Sequence, residues 1–417
     1  MVKVASLFSQ LLSHFPRTEF ARLVREHRAE RHAKGFSSWT QFVAMLFCQL
    51  ARVDSLREIT NGLKCCVGKL KHLGITRSPS RSTLAYANAH RPAATYQALF
   101  FATYDHFQSS GGLGNRKARF RFKNKLLSFD STTISLCLSL FPWAKFRRAK
   151  GGVKVHTALD HDTYAPTFVH ITAAKVHDVK AIRLLAPNPM SIVACDMAYN
   201  DYALFAKWTT QNVFFVTRQK KNADYTVVEK RPVPAQRGNI RSDELIRLSG
   251  VKSRKDCPNL LRRIVVWDEA KEREIVLLTN HLDFGPTTIS AIYKDRWEIE
   301  LFFKALKQTL KVKSFVGETE NALRIHIWTA LIALLILKWL HHVSKAAWSF
   351  SNLASMLWLN LFTYRDLLEW LHAPWDTEPL VPRPQQLDLF APPLGQPTSV
   401  QDGRTSTRKT PNASISG

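Results

Sequence analysis

Paired cysteines are missing. The six cysteines, Cys48, Cys65, Cys66, Cys137, Cys195 and Cys257, contain no Cys-x-x-Cys spacing. That excludes a zinc ribbon and gives no disulfide framework; the pattern fits reduced thiols of a cytosolic protein. Long apolar runs are missing too. The longest, Ile327 to Leu337, is interrupted by Lys338, short of the roughly 20 residues that a membrane span requires. It reads as a buried helix, so no membrane partner is expected. Met1 to Pro16 holds one Lys and no small-residue cleavage site, which argues against a secretory signal. Negative charge is also scarce. Against 33 Asp and Glu stand 59 Lys and Arg, a net charge of +26. Such an excess points to a polyanionic partner, nucleic acid before an anionic membrane surface.

What is present divides the 417 residues into several regions, enough for two or three domains. Residues 1–120 read as helical. Phe36 to Leu50 carries apolar residues at helical spacing behind the N-cap candidates Ser37 and Ser38. Residues 1–125 hold 21 Lys and Arg but 6 Asp and Glu, so more than half of the excess charge lies in under a third of the chain. Within it, Ser55 to Ile59 opens a short helix. After a turn at Gly74, Ser80 to Arg91 forms another. That second helix is a candidate recognition helix presenting Arg81, Asn88 and Arg91 to a groove or to phosphates. An ordinary surface helix is the equal alternative. A Ser/Gly linker, Ser109 to Gly114, precedes a basic run, Arg116 to Lys125.

Residues 121–218 alternate in the manner of strands, with helices at Asp178 to Leu185 and Asp201 to Trp208. This order fits a mixed α/β sheet with helices on its faces. Residues 219–285 read as a β-rich insertion, with strands at Leu261 to Trp267 and Glu274 to Leu278. Residues 286–345 and 346–372 read as helical: Ile289 to Thr309, Asn321 to Val343 and Ser349 to Trp370. The tail, 373–417, is rich in Pro, Ser, Thr and Gln and is expected to be largely disordered.

Three carboxylates stand in unusual places. Asp130 closes the run Leu126 to Phe129, and Asp196 closes Ser191 to Cys195. A carboxylate at the end of a buried strand is costly unless it is paired or binds a cation, although a strand end is also where polarity resumes. Glu300 lies in a helical stretch where Tyr293, Arg296, Glu300 and Lys307 fall within an arc of roughly 60° at about 100° per residue. A solvated Arg296–Glu300 ion pair would explain two of the four.

The spacing Tyr293-x2-Arg296-x3-Glu300-x6-Lys307 resembles the Y-R-E-K signature of the DDE transposases of insertion-sequence family four. Ser128 to Thr132 resembles that family's first-aspartate strand, Lys150 to His156 the segment after it, and Ala194 to Tyr199 the second-aspartate strand with its Asp-x-x-Tyr. Phe36 to Leu63 is similar to a small helical domain found in many members.

The resemblance covers roughly residues 10 to 345 and implies an α/β fold. Its parts would be a ribonuclease-H-like catalytic core with a β-rich insertion, an N-terminal helical DNA-binding domain and C-terminal helices. The 103 residues between Asp196 and Glu300 leave room for that insertion. It further implies Asp130, Asp196 and Glu300 as catalytic residues and as ligands of two Mg²⁺ ions, for which Mn²⁺ can substitute. Asp130 would bridge the ions, with Asp196 on one and Glu300 on the other.

Tyr293, Arg296 and Lys307 would contact phosphates, and Trp267 of the insertion is the candidate to grip a flipped base, with a core tryptophan as its alternative. The partners implied are double-stranded DNA, as terminal inverted repeats and target, and a second copy of the chain on paired ends. The C-terminal helices would form that dimer contact. The implied setting is the bacterial cytoplasm, on the nucleoid. Two rivals remain: a non-catalytic DNA-binding regulator derived from a transposase, and a structure-specific nuclease on the same core.

Overall fold

The computed structural model describes residues 5–66, 69–113, 119–147, 150–233, 239–309 and 315–380. The tail from 381 on, the linker residue Gly114 and the basic residues Arg116 and Lys117 lie outside the described residues. Ten strands form one sheet: β1 (Leu126–Leu136), β2 (Lys145–Arg147), β3 (Lys150–Asp160), β4 (Pro166–Ala173), β5 (Ile192–Cys195), β6 (Phe214–Arg218), β7 (Tyr225–Lys230), β8 (Ile240–Leu248), β9 (Leu261–Asp268) and β10 (Arg273–Thr279). The order is β2-β3-β1-β5-β6-β10-β9-β8-β7, with β4 also beside β3.

Two halves of the sheet follow different rules. β1, β3 and β4 make an antiparallel meander. β5 and β6 then run parallel to β1, and the connection between them carries the helix Tyr202–Thr210, as parallel neighbours require. β5 is buried at all four positions, which is why its sequence, Ile-Val-Ala-Cys, shows no alternation. Residues 219–285 supply β7 to β10. They join the edge of β6 through β10 and extend the same sheet as an antiparallel meander.

Asp130 does not terminate its strand. β1 continues past it to Leu136, because β3 pairs with it from Leu127 through Leu136. Pairing with β5 stops earlier, at Phe129 opposite Cys195. Asp130 therefore sits where β1 loses one neighbour and keeps the other.

Helices cover both faces: Asp178–Ile182 and Tyr202–Thr210 pack on Phe129, Val193 and Phe215, and a larger group lies on the opposite face. Glu320–Val343 is long and apolar enough to cross a membrane, yet 89% of its apolar window is buried inside the protein. Around it pack the helices Ser38–Leu50, Arg81–His90 and Ala93–Ser109. One continuous core joins these helices to Ile134 and Val153 of the sheet and to Ile299, Phe302 and Leu306 beside Glu300. Polar locks reinforce it: Asn321 Nδ2 donates to the carbonyls of Asn88 and Arg91 at 2.8 and 2.7 Å, and Gln49 meets His326 at 3.0 Å in the interior.

The described residues up to 380 thus form one compact unit. The expected boundaries at 120, 218, 285, 345 and 372 all fall between elements. The stretch 349–370 is two helices, Phe350–Asn360 and Leu367–His372. Residues up to 380 belong to the packed chain: Arg365 donates to Thr377 O at 2.7 Å, and Leu380 N–H to Tyr364 O. The Glu320–Val343 helix is buried along most of its length, whereas Trp358, Leu359 and Phe362 are exposed.

Leu331, 1% exposed, tests the shared core. Leu331→Ala should cost about 2–5 kcal/mol in urea unfolding. Hydrogen-exchange mass spectrometry should show Ser38–Leu50 losing protection together with Glu320–Val343. Undiminished protection at Ser38–Leu50 would mean that the N-terminal helices hold a core of their own.

Candidate active site

The site grows from the fork between β1 and β5. Phe129 and Cys195 are the last paired residues, so the next two, Asp130 and Asp196, leave the fork side by side. Asp196 starts a single 3-10 turn, Met197–Tyr199. That turn brings Tyr199 back under the fork, where its hydroxyl donates to Asp130 Oδ1 at 3.4 Å. The same oxygen accepts the Ser131 N–H at 2.8 Å. The Asp-x-x-Tyr spacing thus lets one turn present Asp196 and return a donor to Asp130.

Glu300 arrives from the other side. The expected single helix over 289–309 is two, Pro286–Asp295 and Glu298–Thr309. At the joint the bonds tighten to three-residue spacing, with Trp297 N–H to Lys294 O, Ile299 N–H to Arg296 O and Glu300 N–H to Trp297 O. The 60° arc therefore does not hold across the joint. Arg296 stands at the break, and Glu300 lies in the first turn of its helix, where the dipole favours a carboxylate.

The break aims three groups at the fork. Arg296 Nη1 donates to Asp130 Oδ2 at 2.9 Å, and Nη2 to Glu300 Oε1 at 3.2 Å. Tyr293 donates to Asp196 Oδ1 at 3.4 Å. All three carboxylates are thus linked through Tyr293 and Arg296. Lys307 is half-buried in the last turn of the Glu298–Thr309 helix. A buried relay fixes the joint itself. Asp295 takes a 2.9 Å contact from His161 Nδ1, and His161 Nε2 meets Ser128 Oγ at 2.6 Å. Since Ser128 precedes Asp130 by two residues, strand and joint are tied together.

The electrostatics are unbalanced. Burial pushes the Asp130 carboxyl above its ordinary value, as do the Asp196 and Glu300 charges. The Ser131 N–H and Arg296 oppose them without prevailing. For Arg296, burial works against the charge, yet Asp130, Tyr293, Asp196 and Glu300 together hold the guanidinium above its usual value. Tyr293, desolvated and near Asp196, is pushed up to about 12, so it stays a hydrogen-bond donor.

The donor set, carboxylate oxygens without sulfur or imidazole, fits a hard divalent cation. Arg296 now holds the space between Asp130 and Glu300. Among the described residues no three acidic, His or Cys groups converge closely enough to grip an ion as they stand. The Arg296 Nε is buried with no hydrogen-bond partner among the described residues.

Asp178 opens the helix Asp178–Ile182 beside this site, where its position alone suggests only a charge favoured by the helix dipole. Its side chain instead accepts from Ser131 Oγ at 3.1 Å and pairs with Lys154 at 2.9 Å. His156, 0% exposed, lies 3.8 Å from it, and burial lowers the imidazole to about 4. The signal for Lys154 was a cation inside an apolar alternating strand; Asp178 gave none, because its partners are remote in sequence.

Four other expected residues lie apart. Arg91 donates to Gln41 Oε1 at 3.2 Å and to the Phe36 carbonyl. These bonds spend its fork inside the helical packing, so it is not free for phosphate. Asn88 is buried at 1% for the same reason. Arg81 is exposed at the first turn of its helix. Trp267 is half-buried near the end of β9, beneath Arg241 at 5.6 Å. β9 stands three strands from β5, roughly 14 Å laterally at strand spacing.

Because folding raises the Asp130 carboxyl, its ionised form is disfavoured in the native state. The cost is absent below the ordinary carboxylate range of about 4 and grows as pH rises through the folded value. Asp130→Asn should therefore melt above the wild type at neutral pH in EDTA, with the gap closing towards about pH 4. A lower melting temperature at neutral pH would show that Arg296 outweighs the burial.

Comparison with known proteins bears on this arrangement. Residues 121–336 match the family model described as Transposase DDE domain, and residues 3–76 a domain of unknown function (DUF4372). A putative transposase, y4zB, of Sinorhizobium fredii is 32% identical over 293 residues, 70% of this chain and 80% of its own. A probable transposase for insertion sequence element IS5377 of Geobacillus stearothermophilus is 30% identical over 235 residues, 55% of this chain and 61% of that protein. A putative transposase for insertion sequence element IS4SA of Synechocystis is 26% identical over 269 residues, 62% and 70% of the two chains.

Proposed function

The chain belongs to the DDE-domain transposase family, and from that premise we propose that it binds the terminal inverted repeats of an insertion sequence and performs metal-dependent strand cleavage and strand transfer. The observation that carries the reading is the convergence of Asp130, Asp196 and Glu300 around Arg296 and Tyr293 at the β1–β5 fork. The strand order β4-β3-β1-β5-β6, an antiparallel meander followed by two parallel strands, supports a ribonuclease-H-like core. The Tyr293, Arg296, Glu300 and Lys307 spacing supports membership of insertion-sequence family four.

In this reading Asp130, Asp196 and Glu300 are the catalytic ligands of two Mg²⁺ ions, with Mn²⁺ as a substitute. Bound there, such ions stabilise charge on the attacking and leaving oxygens of an in-line displacement. The chain's own groups do the rest. Arg296 releases the carboxylates and turns to a phosphate oxygen; its unspent Nε supports this, since a guanidinium matches phosphate bidentately. Tyr293 keeps its proton and donates to Asp196 or a phosphate. Lys307 adds a point charge, and Trp267 offers an indole face for a displaced base. Lys154 and Asp178 hold Ser131, hence Asp130, in place.

Water first breaks a P–O3′ bond at the element end, leaving a 3′-hydroxyl and a 5′-phosphate. The 3′-hydroxyl then attacks a second phosphodiester and expels that strand's 3′-oxygen. The second step exchanges one ester for another and needs no energy source. Two chains on paired ends complete the reading; exposed Trp358, Leu359 and Phe362 favour the C-terminal helices as their contact.

The test uses purified protein, a plasmid carrying the sequences that flank the gene, and Mg²⁺ or Mn²⁺ beside an EDTA control. Metal-dependent cutting at the ends followed by joining is expected. Asp130→Ala should abolish cutting and leave DNA affinity within a few-fold. Cutting without joining would favour a structure-specific nuclease. Tight binding without cutting under either metal would favour a non-catalytic regulator and reduce the three acids to structure.

A further inference from the structure

The helix Arg17–Glu26 ends in an uncomfortable way. Ala29 N–H bonds back to Val24 O at 2.9 Å, closing a six-residue loop, and Arg28 within it has φ of 51°. This is the left-handed position at a helix end that glycine favours. Four residues later His32 repeats the left-handed conformation with φ of 61°, before Gly35 does so at 74°. Glycine adopts this conformation with less strain; here the first two positions hold an arginine and a histidine, as Arg52 and Met190 do elsewhere. Strained backbone at exposed positions points to what the side chains do.

Those side chains form a patch of one sign. Arg25, Arg28, Arg31, His32 and Lys34 are all exposed. The acids nearby are turned to other uses. Arg22 takes both Glu19 and Glu26 at 2.6 Å, and Glu30 accepts the Ser38 N–H beneath the turn. Among the described residues no carboxylate pairs with Arg25, Arg28, Arg31 or Lys34. The helix C-terminal dipole accounts for one cation in its last turn, Arg25, but its influence ends before Arg31 and Lys34. Four unpaired cations within ten residues, on turns that hold them outward, match the spacing-tolerant, sequence-independent contact that proteins make with nucleic-acid backbones.

We propose that the segment Arg25–Lys34 is a docking surface for the phosphate backbone of duplex DNA, with Arg25, Arg28, Arg31 and Lys34 as its phosphate contacts. It rests on the reading of the chain as a DNA-binding transposase and adds a second basic contact in the helical region beside the exposed Arg81, in place of Arg91, which is spent in packing. The partner is duplex DNA and not RNA, because the chain belongs to a family of DNA transposases.

The experiment measures affinity of the full chain for a fluorescein-labelled random-sequence DNA duplex over a range of KCl concentrations, beside an RNA duplex of equal length. In the variant combining Arg25→Ala, Arg28→Gly, Arg31→Ala and Lys34→Ala, the slope of log affinity against log salt should fall by about 0.9 for each phosphate contact removed. Arg28→Gly alone separates contact from structure: relief of the left-handed strain should raise its melting temperature while DNA affinity and salt slope fall. An unchanged slope in the combined variant, with wild-type binding intact, overturns the docking surface and leaves the transposase reading standing. Loss of RNA affinity with DNA affinity retained also overturns it. A wild-type chain that binds no duplex at any salt overturns both.

Discussion

The structure turns on negative charge that its fold concentrates and only partly cancels. A parallel pair, β1 and β5, ends with two aspartates leaving side by side, and a helix start delivers a glutamate to the same place. One guanidinium, Arg296, spans two of the three acids. It leaves Asp130 raised above its ordinary value. A fold optimised for stability alone would not keep this arrangement, since a buried, under-compensated carboxylate costs free energy. Strain of this kind, held by rigid surroundings, is what a site for cations and phosphates requires.

Rigidity comes from both sides of the fork. The strand bearing Asp130 is paired with β3 along nearly its whole length. The joint bearing Arg296 is tied to that strand by Ser128, His161 and Asp295, and Arg119 closes the relay from the surface. Behind Glu300, Ile299, Phe302 and Leu306 sink into the core that Glu320–Val343 organises. The N-terminal helices share this core, so a DNA contact made by residues 25–34 would be mechanically continuous with the acids.

Local pattern carried much of this in the sequence. Asp130 and Asp196 were visible because each follows an apolar run, and Glu300 because its neighbours share a helical spacing. Ser37, Ser55 and Ser80 announced three helix starts, and each side chain caps its helix. What local pattern could not carry was tertiary. The break at Arg296 leaves no glycine or proline as a marker, and arises from the relay to His161 and Ser128, more than 130 residues away. Asp178 gave no signal because its partners, Ser131 and Lys154, sit on strands remote in sequence. Arg91 looked available because periodicity cannot show that Gln41 and Phe36 reach it first.

The central claim is that the three carboxylates form one cation site once Arg296 yields. Mn²⁺ titration of the full chain, followed by electron paramagnetic resonance, tests it without any need for cleavage. Wild-type protein should take up Mn²⁺, and Asp130→Asn, Asp196→Asn and Glu300→Gln should each weaken uptake at least several-fold. Equal uptake by the wild type and all three variants would contradict the account and place any bound cation elsewhere.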